Sequence, residues 1–389
     1  MKRFVMLAIL GSAAAACSNP VSSSPSSSVL AALSYTTEDL GTLGGVSSTA
    51  QDINEHGQIV GQSQTAAGET HAFLITDGVM QDLGTLGGTF STADDINDDG
   101  QVAGRSSTAS GEMRAVLWTC GTALDLGPAP STRLYLNEHG QVAWAGLGTD
   151  GNIHPVLWTD GVVTDLGTLG GPSAGVSGIN DGGEVVGSST VPGSLWREAF
   201  VWRDGVMTDL GNLGNGSDAF SINGAGQIVG RTSDAISQSH AVLWDAGGMT
   251  DLGTLPGHKS ATAIVINDVG WVAGESFLDA LSSDHHPFRW QAGILLSADP
   301  EDQQSPINQR VKGMNHSGVI IGTETFLNRI DSAKVWDNGV ESDLGTLGGE
   351  SSVPLAINEH GTVVGRAQDA TGAFRAVAWR PLESVAALP

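Results

Sequence analysis

Residues 39–84 read DLGTLGGVSSTAQDINEHGQIVGQSQTAAGETHAFLITDGVMQDLG, so the phrase Asp39-Leu40-Gly41 that opens the stretch returns at Asp82-Leu83-Gly84 to close it. The same triplet starts again at Asp125, Asp165, Asp209, Asp251 and Asp343. The last step is twice the others, and the absent copy falls near Gly293-Ile294-Leu295-Leu296. A second phrase, usually Ile-Asn, places an asparagine at Asn54, Asn97, Asn137, Asn180, Asn223, Asn267, Asn315 and Asn358. Seven residues after each stands a glycine, from Gly61 to Gly365, except that the third unit has Trp144. A third phrase ends in tryptophan at Trp118, Trp158, Trp202, Trp244, Trp290, Trp336 and Trp379, with Ile75 in the first unit.

Self-similarity with a period in this range marks a fold built from one repeated supersecondary unit. Within the first unit, residues 49–53, 58–63, 71–75 and 79–83 alternate or run apolar as short strands do. Asn54-Glu55-His56-Gly57 and Asp77-Gly78 separate them with hairpin turn chemistry, repeated as Asp160-Gly161, Asp204-Gly205 and Asn338-Gly339. No window carries a sustained apolar stripe at helical spacing.

One four-stranded sheet cannot bury both faces, whereas a ring of them can. The chain begins this pattern with a lone fourth strand at 34–40 and ends it with three strands over 355–379. Pairing the two ends would remove a free sheet edge. The expectation is therefore all-β: an eight-bladed β-propeller of four-stranded antiparallel blades over 33–385, closed when the N-terminal strand completes the last blade. A seven-bladed ring and a β-solenoid are the alternative architectures.

Composition supports this and limits function. With 54 Gly and 2 Tyr in 389 residues, the chain suits many tight turns. Its 17 Lys+Arg stand against 42 Asp+Glu, a formal charge of −25 that opposes nucleic acid and anionic head groups. Met1-Lys2-Arg3, an apolar stretch and the small residues before Cys17 have the layout of an export signal. Ala14-Ala15-Ala16-Cys17 resembles the bacterial lipobox that closes a signal region at 1–17, which implies acylation of Cys17 and its exposure as the new N-terminus once the residues before it are removed. Residues 18–32 are rich in Ser and Pro and read as a tether. Ser18 after the cysteine implies, in that resemblance, an outer membrane lipoprotein, periplasmic or cell-surface, with the membrane touched only through the lipid; without acylation the chain is expected to be secreted. Cys120 replaces the Asp of a Trp-Thr-Asp-Gly turn and reads as a turn thiol.

The repeated phrases also resemble the bacterial extracellular HAF-type repeat family. The triplet is His71-Ala72-Phe73, softened to Arg114-Ala115-Val116, Glu198-Ala199-Phe200, His240-Ala241-Val242 and Arg375-Ala376-Val377. The resemblance covers about residues 36–380 and implies an exported repeat protein, with no shared catalytic residue to carry over.

Residues present in every unit serve the unit, so a binding site is sought where units differ. Thr-Leu-Gly-Gly is nearly identical each time it occurs, whereas the loops between second and third strands vary. Variable loops on a rigid scaffold are where ligand contacts concentrate. Trp196 and Arg197 pair an aromatic with a cation, suited to stacking on a sugar and bonding its hydroxyls. Asp284, His285, His286 and Arg329 are the other candidates. No catalytic set, cofactor or metal site is predicted, since no nucleophile elbow, phosphate loop or metalloprotease helix occurs. The expected function is a monomeric binding module for a glycan or protein at the cell envelope. A carbohydrate-active hydrolase or lyase built across the loops, and a passive scaffold, are the alternatives.

Overall fold

The computed structural model describes residues 33–130, 133–278, 284–299, 308–325 and 330–382. The leader, the tether, Cys17, Arg329 and positions 383–385 lie outside the described residues. Every regular element among the described residues is a β-strand. In the first unit these are Gly44–Ile53, Ile59–Thr65, Thr70–Thr76 and Val79–Gly84, each antiparallel to its neighbour. The pattern repeats as four sheets of four strands and two of eight. Each larger sheet joins two four-stranded sets through a single parallel pair, Thr70 with Phe90 and His285 with Asn308.

One four-stranded sheet contains both ends of the pattern. Tyr35–Asp39 pairs antiparallel with Phe374–Pro381, setting Tyr35 opposite Pro381 and Asp39 opposite Val377. The apolar clusters lie between consecutive sets. Val60, Ala72 and Leu83 of the first unit pack with Ala93, Val102, Val116 and Trp118 of the second. Ala50, Ile59 and Phe73 pack in the same way against Val364, Ala376 and Ala378 near the other end. Each alternating strand thus buries one row of side chains against the neighbouring set, and burial on both sides stabilises sheets too small to stand alone.

Two local features follow from residue type. The first strands carry a bulge, as between Ala50 and Asp52 or Ala93 and Asp95, which presses their backbone toward the second strand. A Cβ on Gly61 would run into the Thr49 carbonyl oxygen, and one on Gly104 into that of Thr92. The glycine seven residues after each asparagine is therefore a close-approach residue. In the third unit the first strand shrinks to Tyr135–Leu136, and Trp144 takes the glycine's place with its indole bonded to the Pro128 oxygen at 3.0 Å.

The turns between third and fourth strands put two successive residues at positive φ, 51° at Asp77 and 76° at Gly78, as a two-residue hairpin of this twist requires. Cys120 occupies the same first position at φ 50° and is exposed, which agrees with its reading as a turn thiol. Thr-Leu-Gly-Gly differs from the expected plain loop. Gly44, Gly87 and Gly348 already open strands, because hydrogen bonds such as Leu43 N to Ser63 Oγ at 2.8 Å fold the segment onto the second strand.

Candidate functional site

The recurring polar residues are engaged in the scaffold. Each Asp-Leu-Gly aspartate accepts the amide two residues on, as Gly84 N to Asp82 Oδ1 at 2.7 Å and Gly345 N to Asp343 Oδ1 at 2.7 Å. In several units the same carboxylate meets a basic residue across the strand pair: His71 Nδ1 to Asp82 at 2.9 Å, Arg114 Nε to Asp125 at 2.9 Å, His240 Nδ1 to Asp251 at 2.7 Å, whereas Glu198 instead takes the Asn212 side-chain amide. Where the pair forms, the two phrases are halves of one contact.

The asparagines form a second repeated device. Asn54 Nδ2 donates to Asn97 O, and the relation passes through Asn137, Asn180, Asn223, Asn267, Asn315 and Asn358 before Asn358 Nδ2 donates to Asn54 O. Each asparagine oxygen accepts the amide four residues later, as Gln58 N to Asn54 Oδ1 at 2.9 Å. In five units the second Nδ2 hydrogen goes to the Gln or Glu side chain at that same position. A buried carboxamide with all its polar atoms bonded avoids the cost of an unmade hydrogen bond.

A cavity of about 460 Å³ opens beside these asparagines. Glu55, Asp98, Glu138, Asp181, Asp268 and Glu359 line it, with His316. Five of the carboxylates accept backbone amides from the neighbouring unit, as Asp98 Oδ1 from Glu55 N at 2.9 Å and Glu359 Oε1 from His316 N at 2.7 Å. Glu55 accepts the amide of Glu359 in the same manner. His316 bridges Asp268 at 3.0 Å and Glu359 at 2.6 Å. The hydrogen bond to Asp268, with that to Glu359, holds its imidazole above the ordinary histidine value despite some burial. These groups are latches between units.

The other ends of the same first strands enclose a larger cavity, about 830 Å³. Its walls carry Arg133, Arg231, Arg310 and Lys312, the aromatics Tyr135, Trp196, Phe220 and Phe277, and His285. Only one carboxylate, Glu275, is among them, and it is committed to Arg310 Nη1 at 3.2 Å, His285 Nδ1 at 2.7 Å and Val311 N at 2.9 Å. Arg231 is held by Asp218 at 2.9 Å. Four of 17 basic side chains thus meet in one cavity of a chain charged −25.

Departure from the repeat puts these groups there. Where other units bury Ala50, Ala93, Ala219 or Ala263, the third carries Arg133, exposed because its first strand starts late. Desolvation by the surrounding protein works against this guanidinium, but the carboxylates of Asp95 and Asp52 outweigh it and raise its pKa. The bulge residue, Gln51 in the first unit and Asp94 in the second, becomes Phe220 in the fifth and Lys312 in the seventh. A smaller cavity of about 240 Å³ adjoins, lined by Leu195, Trp196, Arg197, Asn215 and Asp218, and shares Trp196, Arg231 and Ser233 with the larger.

Of the residues singled out from sequence, Trp196 and His285 line the larger cavity. Trp196 is 49% exposed, and its amide is held by Ser194 Oγ at 2.9 Å. Gly216, at φ 78°, passes so close that an added Cβ would meet Trp196 Cβ at 2.8 Å. Arg197 lines the smaller cavity and turns its guanidinium onto Ser188 O at 2.6 Å. His286 is buried, with its ring 5.0 Å from that of His258. Asp284 lines neither cavity, and Arg329 lies outside the described residues. Arg133, Arg231, Arg310 and Lys312 were not singled out from the sequence, although aligning the units would have flagged Arg133 and Lys312 as misfits.

Asp52 and Asp95 form a close carboxylate pair, as Asp299 and Glu341 do. Burial first, then the charge of Asp52 and a hydrogen bond to it, push the Asp95 carboxyl well above the usual range. Carboxylates that share a hydrogen bond leave no room for a glycosidic oxygen, which needs a gap of roughly 5 Å or more.

No protein-family model matches the chain, and no curated protein matches it. Among solved structures, a prolyl endopeptidase is similar over 84% of this chain with a TM-score of 0.57 at 10% identity. The fold is a β-propeller. The chain spans 55% of that peptidase's length. The propeller domain of the Trilobed protease from Pyrococcus furiosus is similar over 77% of this chain and 98% of its own, with TM-score 0.46 and 12% identity. An oligogalacturonate lyase from Vibrio parahaemolyticus covers 91% of this chain and 98% of its own, at 0.47 and 12%. At such identities the likeness concerns the fold alone.

Proposed function

We propose that this β-propeller is a saccharide-binding module whose ligand lies in the cavity at Trp196. The observation that carries the reading is the placement of Trp196 on a wall common to two adjoining cavities, half-exposed and held by Ser194 and Gly216. An indole face offers apolar area to a sugar ring at little conformational cost, and the surrounding Ser and Arg side chains supply hydroxyl partners. The full chain is expected to bind members of a glycan array, and Trp196→Ala to abolish the signal. An array without hits for the folded wild-type chain would refute the reading.

The scaffold is proposed as a closed ring of eight blades. The circular asparagine series and the pairing of Tyr35–Asp39 with Phe374–Pro381 support both count and closure. The leader, lipobox and tether at 1–32 support display from an envelope membrane by acyl-Cys17, as a monomer, in the manner of HAF-type repeat proteins. Metabolic labelling with an alkyne-palmitate should mark the wild type and leave Cys17→Ser unmarked.

A further inference from the structure

Charge sorts the two ends of the first strands. At the asparagine end the lining is six carboxylates and a histidine; at the other it is four cations and one committed carboxylate. Such a separation inside a chain of charge −25 gathers cationic side chains in one concave, partly desolvated place.

The cations differ in how they are held. Arg231 is fixed from behind by Asp218 and Arg310 by Glu275 and Asn308, and the Arg133 guanidinium stands over the Tyr135 ring at 5.8 Å. Backing of this kind orients a planar guanidinium and leaves N–H groups for a ligand. Lys312 has no carboxylate partner among the described residues, and it stands exposed on the bulge of its strand, facing the cavity. An ammonium with no carboxylate partner among the described residues, lining the same cavity as three guanidiniums, is a receptor for negative charge. Trp196 adds a ring face to the same walls, and Tyr135 and Phe220 carry the guanidiniums of Arg133 and Arg231 over theirs.

We infer that the ligand is an acidic saccharide of the hexuronate class, its pyranose ring on Trp196 and its carboxylates on Lys312 and the guanidiniums of Arg133, Arg231 and Arg310. Stacking area and cations lie in one cavity, and the adjoining cavity beyond Trp196 gives room for the next residue of a chain. This rests on the saccharide-binding reading and adds the charge class and the residue that sets it.

The test is isothermal titration of the full chain with uronate tetrasaccharides cut from alginate and pectate. The same oligomers after carboxyl reduction, and oligoglutamate of equal charge, serve as comparators. The acidic sugars are expected to bind at least ~10-fold more tightly than their reduced forms and than oligoglutamate, with affinity falling as salt rises. Lys312→Gln should lower acidic-sugar affinity about tenfold and leave any affinity for the reduced form unchanged, and Lys312→Arg should restore most of it. Equal binding of acidic and reduced sugars would overturn the charge assignment and leave saccharide binding standing. Equal binding of oligoglutamate would show a general polyanion site and overturn the hexuronate class. If no sugar binds to protein with native circular dichroism, the saccharide reading itself fails.

Discussion

Asn358 Nδ2 donates to the backbone oxygen of Asn54, 304 residues earlier in the chain, at 3.2 Å. The bond is of the same kind as the one between Asn54 and Asn97, 43 residues apart, so the units holding Asn358 and Asn54 meet through the contact that links consecutive units. Asn358→Ala removes that donor and the acceptor for Thr362 N, leaving the buried Thr362 amide unpaired while Asn54 O keeps the Gly57 amide. The expected loss is about 1–3 kcal/mol, read as a lower urea midpoint with an unchanged slope.

Tyr35–Asp39 covers the edge of Phe374–Pro381. Deleting residues 1–40 should expose that edge and give a protein that melts lower and aggregates, whereas deleting 1–32 should leave melting unchanged. Equal melting of the two truncations would show that the pairing adds nothing to stability.

Cys120 sits at φ 50° where the equivalent turns have Asp77, Asp160 and Asp204 at 48–51°. Aspartate tolerates this conformation better than cysteine, so Cys120→Asp is expected to stabilise by about 1 kcal/mol, seen as a rise in Tm.

Trp196 is half-exposed and its local hydrogen bonds involve its backbone, so Trp196→Ala should change stability by less than ~0.5 kcal/mol while sugar binding is lost. Gly216→Ala would push against Trp196 Cβ and the Arg197 oxygen. It should weaken sugar binding without touching any group that could bond a ligand.

His316 has a raised pKa in the folded chain, so its contribution is full below the unfolded value of ~6.5 and is lost as pH rises through the higher folded one. Its partner Asp268 is shifted down, by the Gly224 amide and then by His316, and that contribution is lost as pH falls through its lowered value. The stability gap between wild type and His316→Gln should therefore be widest in mildly acidic solution and shrink on the alkaline side. A gap that is flat from mildly acidic to alkaline pH would rule out the coupling.

The unit was legible from linear spacing. Asp-Leu-Gly, Ile-Asn and the tryptophan phrase mark three of four strands, and Asp-Gly pairs mark the tightest turn, because strand pairing within a unit is local and its chemistry recurs. The reason for the repeated asparagine was not legible, since its partner lies in the next unit, about 40 to 49 positions away. Trp196 and His285 were visible as oddities on variable loops. Lys312 lies on a first strand and Arg133 just before one, and nothing in their immediate neighbours separates them from solvated charges.

Composition, period and turn residues alone thus settled an all-β chain of repeated four-stranded units, because hairpins obey short-range backbone geometry. Which cations share a cavity, which carboxylates are already spent on amides, and that Trp196 divides two recesses were decided only by the stacking of one unit on the next. Those contacts join residues from five different units, and no local pattern encodes a distance between side chains that far apart along the chain.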